Sequence, residues 1–149
     1  MRNFLSLALW LVATIAVAAE GVPPAGKVKR CEGSVTVDRA GLAQAAQVGT
    51  LVQVGDRIRT GADGAVGITL ADDTLLTAGP RSTLLIEEFR FNSTTHEGNF
   101  LATLVKGTLS VVTGLIAKHE PQNVRLRTPN VVLGVRGTEF IVEARGDDE

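Results

Sequence analysis

The sequence predicts an all-β fold, a solenoid-like or sandwich stack of short strands preceded by a cleavable signal peptide. Apolar and polar residues alternate with a period of two in many short segments, which is typical of half-buried strands. Turn residues separate these segments at short intervals, and no segment after the leader shows a convincing helical period. An aliphatic residue followed closely by glycine recurs loosely around residues 54, 105 and 135, which indicates similar turns without an exact repeat.

The N-terminal residues 1–19 have the layout of a secretory signal peptide. Arg2 precedes an uncharged apolar run at residues 4–17, and Ala18 and Ala19 offer small residues for cleavage. The run is shorter than the roughly 20 residues that span a bilayer, which favours cleavage over a membrane anchor. We therefore expect a periplasmic or secreted protein, cleaved near Ala18-Ala19, without stable membrane insertion.

The remaining chain has the length of one domain. We expect a flexible segment at residues 20–27, a β domain at residues 28–144 and a polar tail at residues 145–149. The formal net charge of −1 gives no electrostatic reason to expect a nucleic acid partner. The only cysteine, Cys31, cannot form an internal disulfide. It is either a buried small side chain or an exposed thiol, and its apolar surroundings favour burial.

The alternating segments give the strands in chain order. Residues 42–46 follow a Gly41 turn, so we interpret them as the return arm of a hairpin rather than as a helix. Residues 92–99 form the most polar interior stretch and should be an exposed loop between two strands. The inward-facing positions are predicted at Val35, Val37, Val66, Ile68, Leu70, Leu109, Val111, Val124, Leu126, Val131, Leu133, Val135, Phe140 and Val142.

Two segments interrupted by glycine carry the most information: V-G-D-R-I-R-T-G at residues 54–61 and R-T-P-N-V-V-L-G-V-R-G-T-E-F at residues 127–140. Between them lie a D-x-x-L-x-x-G-P-x-S-x-L-x-I series from Asp73 to Ile86 and L-V-K-G-T-L-S-V at residues 104–111. In order and spacing these motifs resemble the FecR-type domain over residues 28–142. The resemblance implies an all-β, solenoid-like domain that works through protein contacts or ligand-linked signalling.

The residues of the two segments are expected to shape turns. Gly55 and Gly137 suit positions where a side chain would clash or φ is positive. Asp56 can cap a turn by accepting backbone N–H bonds, and Arg136 with Glu139 forms either an ion pair that fixes a turn or a partner contact. The family-signature residues with expected structural roles are Gly55, Asp56, Thr60, Gly61, Gly107, Arg136, Gly137, Thr138, Glu139 and Phe140.

The chain departs from the longer regulators that share this domain. It lacks their cytoplasmic segment that captures a sigma factor, their transmembrane helix and their C-terminal extension toward an outer-membrane transporter. In the family another strand pair usually follows the G-T-x-F strand. Either the last strand here is an exposed edge, open to partners by strand addition, or the chain is a fragment.

Four arginines suggest a surface for an anionic partner. Arg57, Arg59, Arg125 and Arg127 alternate with inward-facing aliphatic residues. If their strands are neighbours, the guanidinium groups share one face and can bind carboxylates or phosphates. The alternative is a solvated face that keeps the protein soluble.

Candidate catalytic residues are few. Neither His96 nor His119 has a second ligand at metal-binding spacing. The pairs at residues 72–73 and 87–88 are interpreted as turn and surface charges. We predict no catalytic, metal or cofactor-binding residue, and a non-catalytic exported binding module in envelope sensing or signalling through a protein or glycan partner. The alternatives are an envelope scaffold assembled through an exposed edge strand and a periplasmic regulator linked to iron-uptake anti-sigma signalling.

Overall fold

The computed structural model describes residues 23–135 and 137–146, and its strands confirm the all-β class. The predicted signal peptide, Arg136 and the last three residues of the polar tail lie outside this described part. The strands are β1 Gly26–Glu32, β2 Val35–Arg39, β3 Leu42–Ala45, β4 Leu51–Val52, β5 Arg57–Thr60, β6 Ala65–Leu70, β7 Leu75–Ala78, β8 Thr83–Phe91, β9 Gly98–Val112, β10 Val124–Arg127, β11 Val132–Gly134 and β12 Glu139–Ala144.

The long strand β9 joins two groups of strands into one curled sheet, an open half-barrel. β8 and β10 pair with its first half, and β7 and β12 pair with its second half. We call the group β3-β2-β5-β8-β9-β10-β11 the first layer and the group β4-β1-β6-β7-β9-β12 the second layer. All pairings are antiparallel except that of β10 with β9. The chain crosses between the two layers several times, for example from β1 to β2 and from β5 to β6.

The alternation in the sequence places one row of most strands in a common core, whereas β3 and β11 contribute no buried residue. Ile58, Leu84 and Leu126 of the first layer are at most 1% exposed, as are Ile68 and Leu109 of the second layer. Burying such an aliphatic side chain contributes about 1.5–3 kcal/mol, so this shared core is the main stabilising feature. The core is enclosed by both layers, which makes each layer depend on the other.

Two details differ from the expectations for the chain ends and helices. Ala25 is buried and its amide donates to the carbonyl of Val52, so the folded part begins before residue 28. A single turn of helix, α1 Leu115–His119, follows β9 and is too short to give a detectable helical period.

The predicted hairpin arm β3 and the exposed loop after β8 are both present. Cys31 is half-buried, with its Sγ 3.3 Å from the carbonyl oxygen of Ala46.

Candidate binding surfaces

The first signature segment forms a turn built around a buried carboxylate. Asp56 is fully buried and accepts two hydrogen bonds from Arg39, at 2.8 Å from Nε and 2.7 Å from Nη2. Its Oδ2 also accepts the backbone N–H of Gln53, which closes the turn that Gly55 enters at φ +91°. The hydrogen bond with Asp56 raises the pKa of the Arg39 guanidinium above its ordinary value. Asp56 is therefore used internally and is not available to a ligand.

Arg39 is a residue that the sequence analysis missed. Nothing in the sequence links Arg39 to Asp56, seventeen positions away. The Nη2 of Arg39 also donates to the carbonyl of Leu51. One guanidinium therefore ties the β2–β3 hairpin to the β4–β5 turn.

Thr60 closes the other end of this segment. Its hydroxyl donates to the carbonyl of Gly79 at 2.6 Å and accepts the backbone N–H of Ser82 at 2.8 Å. The amide of Gly61 donates to the carbonyl of Ser34. The Thr60 bonds connect the end of β5 to the β7–β8 turn and the Gly61 bond connects it to the β1–β2 turn, so Thr60 and Gly61 have structural positions.

The second signature segment runs from the end of β10 through β11, and its last residues lead into β12. Gly137 has φ +100°, and a Cβ there would meet no atom within 4 Å, so only its backbone conformation favours glycine. The carbonyl of Thr138 accepts the backbone N–H of Thr113. Glu139 is exposed and Phe140 packs against the core. The predicted pair of Arg136 with Glu139 involves a residue outside the described part.

The outer edge of β12 is open within the part of the chain that the structure describes. β12 pairs only with β9, in the register Phe140 with Val111. Hydrogen-bonded and non-bonded residue pairs alternate along an antiparallel ladder. Because Thr138 is bonded to Thr113, the β12 residues that bond to β9 are Phe140, Val142 and Ala144. The backbone N–H and C=O groups of Glu139, Ile141 and Glu143 consequently point away from β9, toward the open edge.

The four arginines share the outer face of the first layer but not one patch. The register Arg57–Leu85–Thr103–Arg127 crosses four strands, so β5 and β10 are not neighbours and about 14 Å separates those two arginines. Arg59 pairs with Asp38 at 3.1 Å, and Arg127 lies 3.5 Å from Glu87. The condition of that prediction, that β5 and β10 are neighbouring strands, is therefore not met.

Arg57 and Arg59 line a groove together with Lys106, a residue that the sequence pattern does not connect to them. Lys106 pairs with Thr83, which in turn pairs with Arg59, so the three residues form one row across β5, β8 and β9. We call the space above this row the cationic groove. It has a volume of about 430 Å³, and its lining includes Arg57, Arg59, Thr83, Val105, Lys106 and Pro129.

Another cleft, of about 730 Å³, lies between α1 and the turn that leads into β12. Thr113, Ala117, Pro121, Val135 and Gly137 line it, together with Lys118 and a few further residues. No carboxylate or histidine is among its described lining residues. Lys118 is the titratable side chain among these described lining residues.

The other titratable groups have structural or surface positions. Asp72 lies in the turn before β7, as predicted, but it is buried there, and its carboxylate accepts the backbone N–H groups of Thr74 and of Ile116 in α1. His96 is exposed and stacks on Phe91 with 6.0 Å between ring centroids. Across residues 23–135 and 137–146, no group of three His, Cys, Asp or Glu side chains is placed to hold a metal ion.

A search for membrane-spanning segments in the described residues finds no helix of sufficient length and apolar character.

Comparison with known proteins gives one family match. The family model described as FecR protein matches residues 56–149, which is more than half of the chain. The match begins at Asp56, inside the first signature segment, and includes the whole second segment. Strands β1–β4 precede it. No curated protein and no solved structure gives a significant match.

Proposed function

The chain belongs to the FecR family, and from that premise we propose that it is a non-catalytic module of cell-envelope sensing or signalling that binds a partner protein at the edge of β12. The family is regulatory and associated with the envelope. The N-terminal leader supports a periplasmic or secreted location. Asp56 and Asp72 are committed to internal hydrogen bonds, which supports a binding role over a catalytic one.

The observation that carries this proposal is the open edge of β12. Its free backbone groups belong to three exposed residues, Glu139, Ile141 and Glu143. An extended peptide can add to such an edge by main-chain hydrogen bonds, while alternate side chains supply specificity. Ile141 is 71% exposed, an unusual position for a large aliphatic side chain in a strand, and it supports a surface that is covered by a partner.

The charges beside this edge define the partner strand. Glu139 and Glu143 flank Ile141 on the same face of β12, because alternate residues of a strand share a face. Residues directly opposite in a sheet interact favourably when their charges are opposite. The proposed partner therefore presents an apolar residue opposite Ile141, with lysine or arginine two positions away on each side.

The same charges disfavour the scaffold alternative. If two copies paired their β12 strands antiparallel around Ile141, Glu139 of each copy would face Glu143 of the other. Like charges directly opposite destabilise a strand pair. Self-assembly through the full length of this edge is thus less favourable than pairing with a basic segment.

The test replaces Ile141 with proline. Because the amide of Ile141 points away from β9, proline removes a donor from the open edge and leaves the β9 ladder intact. We expect the wild-type protein to capture one partner in stoichiometric amount from an envelope extract, and Ile141→Pro to lose it. Ile141→Thr retains the amide and should retain most of the capture.

Thermal unfolding of each variant checks that the fold is retained. Equal capture by wild type and Ile141→Pro would exclude strand addition at this edge. Mass that rises with protein concentration in light scattering, and falls in Ile141→Pro, would instead support the scaffold. Identification of the captured protein as an iron-uptake regulator would support the remaining alternative.

A further inference from the structure

We propose that the cationic groove binds an acidic saccharide, a linear sugar chain that carries carboxylate groups. The groove lies on the outer face of the first layer, whereas the open edge belongs to β12 in the second layer. This inference does not depend on the proposed binding of a partner protein. It follows from the spacing of the cations, their pairing and the apolar residues between them.

The cations are spaced for an extended ligand. Arg57 and Arg59 are two residues apart on β5, which places their Cα atoms about 7 Å apart. Arg59 and Lys106 lie two strand spacings apart, about 10 Å, with Thr83 between them. These distances are longer than a single carboxylate group can span, so they suit an extended ligand that carries successive anionic groups.

Two of the three cations have no anionic partner in the described part of the protein. No described carboxylate lies within 4.0 Å of the charged groups of Arg57 or Lys106. Arg57 is half-buried, and an incoming carboxylate could form a charge-assisted hydrogen bond with its guanidinium group. Arg59 already has Asp38 at 3.1 Å and contributes less free charge.

The rest of the lining favours a sugar over a simple polyanion. Val105 and Pro129 provide apolar surface beside the cations, and Thr83, only 6% exposed, provides the floor. A pyranose ring has apolar C–H faces and polar edges, so it can pack on Val105 and Pro129 while its carboxylates reach Arg57 and Lys106. An inorganic polyanion has no apolar surface to bury there.

The experiment measures binding of oligogalacturonate by isothermal titration calorimetry, with neutral maltooligosaccharide and inorganic polyphosphate as comparison ligands. The groove variant is Arg57→Gln/Lys106→Gln. The control variant, Lys27→Gln/Lys29→Gln, removes the same charge from two exposed residues of β1 in the second layer. Both variants change side chains at the surface, and amide NMR spectra verify that each is folded.

We expect oligogalacturonate to bind the wild-type protein and the control variant with equal affinity. The groove variant should bind at least about tenfold more weakly, because two charge-assisted contacts are lost. Affinity should fall as salt is added. The proposal is overturned by absence of oligogalacturonate binding, by equal weakening in both variants, or by preference for polyphosphate over the saccharide.

Discussion

At the scale of single residues, the clearest feature is the enclosure of Asp56. A buried carboxylate needs hydrogen-bond donors to replace its lost hydration. Arg39 and the backbone amide of Gln53 supply three such bonds. The sequence indicated that Asp56 caps a turn, and the contact with Arg39 explains why the turn also fixes a hairpin from another part of the chain.

The Arg39–Asp56 pair should therefore contribute more to stability than a surface ion pair. Arg39→Gln removes the opposite charge and the two Arg39 hydrogen bonds from the buried Asp56 carboxylate, and we expect the free energy of unfolding to fall by about 2 kcal/mol. The comparison is Arg30→Gln, since both members of the Arg30–Glu32 pair are more than half exposed. Its loss should be between about 0 and 1 kcal/mol. Urea unfolding of both variants measures the difference, and equal losses would contradict the assignment.

At the scale of elements, β9 determines how the sheet curls. It passes from the first layer to the second near Gly107, where its pairing with β8 has already shifted between Thr83 and Leu84. Gly107 has φ +99°, and a Cβ there would lie 2.4 Å from the Cα of Ser82. The amide of Thr108 donates to the Ser82 hydroxyl, which fixes the close approach of the two strands.

Gly107→Ala is expected to be severely destabilising, by about 3 kcal/mol or more, because it adds a backbone clash to an unfavourable conformation. The variant Gly55→Ala tests the cost of the backbone conformation without a backbone clash. Gly55 has φ +91° but no atom within 4 Å of the added Cβ, so only the conformational cost of about 1–2 kcal/mol remains. Denaturant unfolding compares the two variants. If Gly107→Ala lost no more than Gly55→Ala, close packing against Ser82 would not be the reason for glycine.

At the scale of the whole molecule, the folded unit is larger than the segment that the family model matches. β1 pairs with β6, and β2 pairs with β5, so two strands of the matched segment, β5 and β6, each have a neighbour that lies before residue 56. Val28, Val35, Val37 and Val52 from this earlier part belong to the common core. The two parts consequently form one cooperative structure.

A chain limited to residues 56–149 should not fold by itself. It would lose four buried valines, each of which contributes about 1.5–3 kcal/mol, and the total is comparable with the stability of a small domain. It would also expose the edges of β5 and β6. Circular dichroism and amide NMR should find no cooperative unfolding and poor signal dispersion, in contrast to residues 20–149. Cooperative unfolding of the shorter chain would show that β1–β4 are an addition to an independent core.

Local pattern made much of this fold predictable. Alternation with a period of two requires only that a strand has one buried face, and it correctly placed Val35, Ile68, Leu109 and Leu126 in the core. The hairpin arm β3 also followed from its flanking glycine. The short helix α1 escaped prediction because five residues do not establish a period. The turn position of Asp72 was predicted, but its burial was not, because its partners include the amide of Ile116, forty-four positions away.

The sequence by itself determined the all-β class, the family and the inward face of most strands, since each depends on residues that are close together in the chain. Only the tertiary structure decided which strands are neighbours. That order separates Arg57 from Arg127 by two strands and places Lys106 beside Arg57 and Arg59 instead. It also leaves the edge of β12 open in the described part. Pairing between distant strands depends on how the whole sheet closes around its core, and a local pattern does not contain that information.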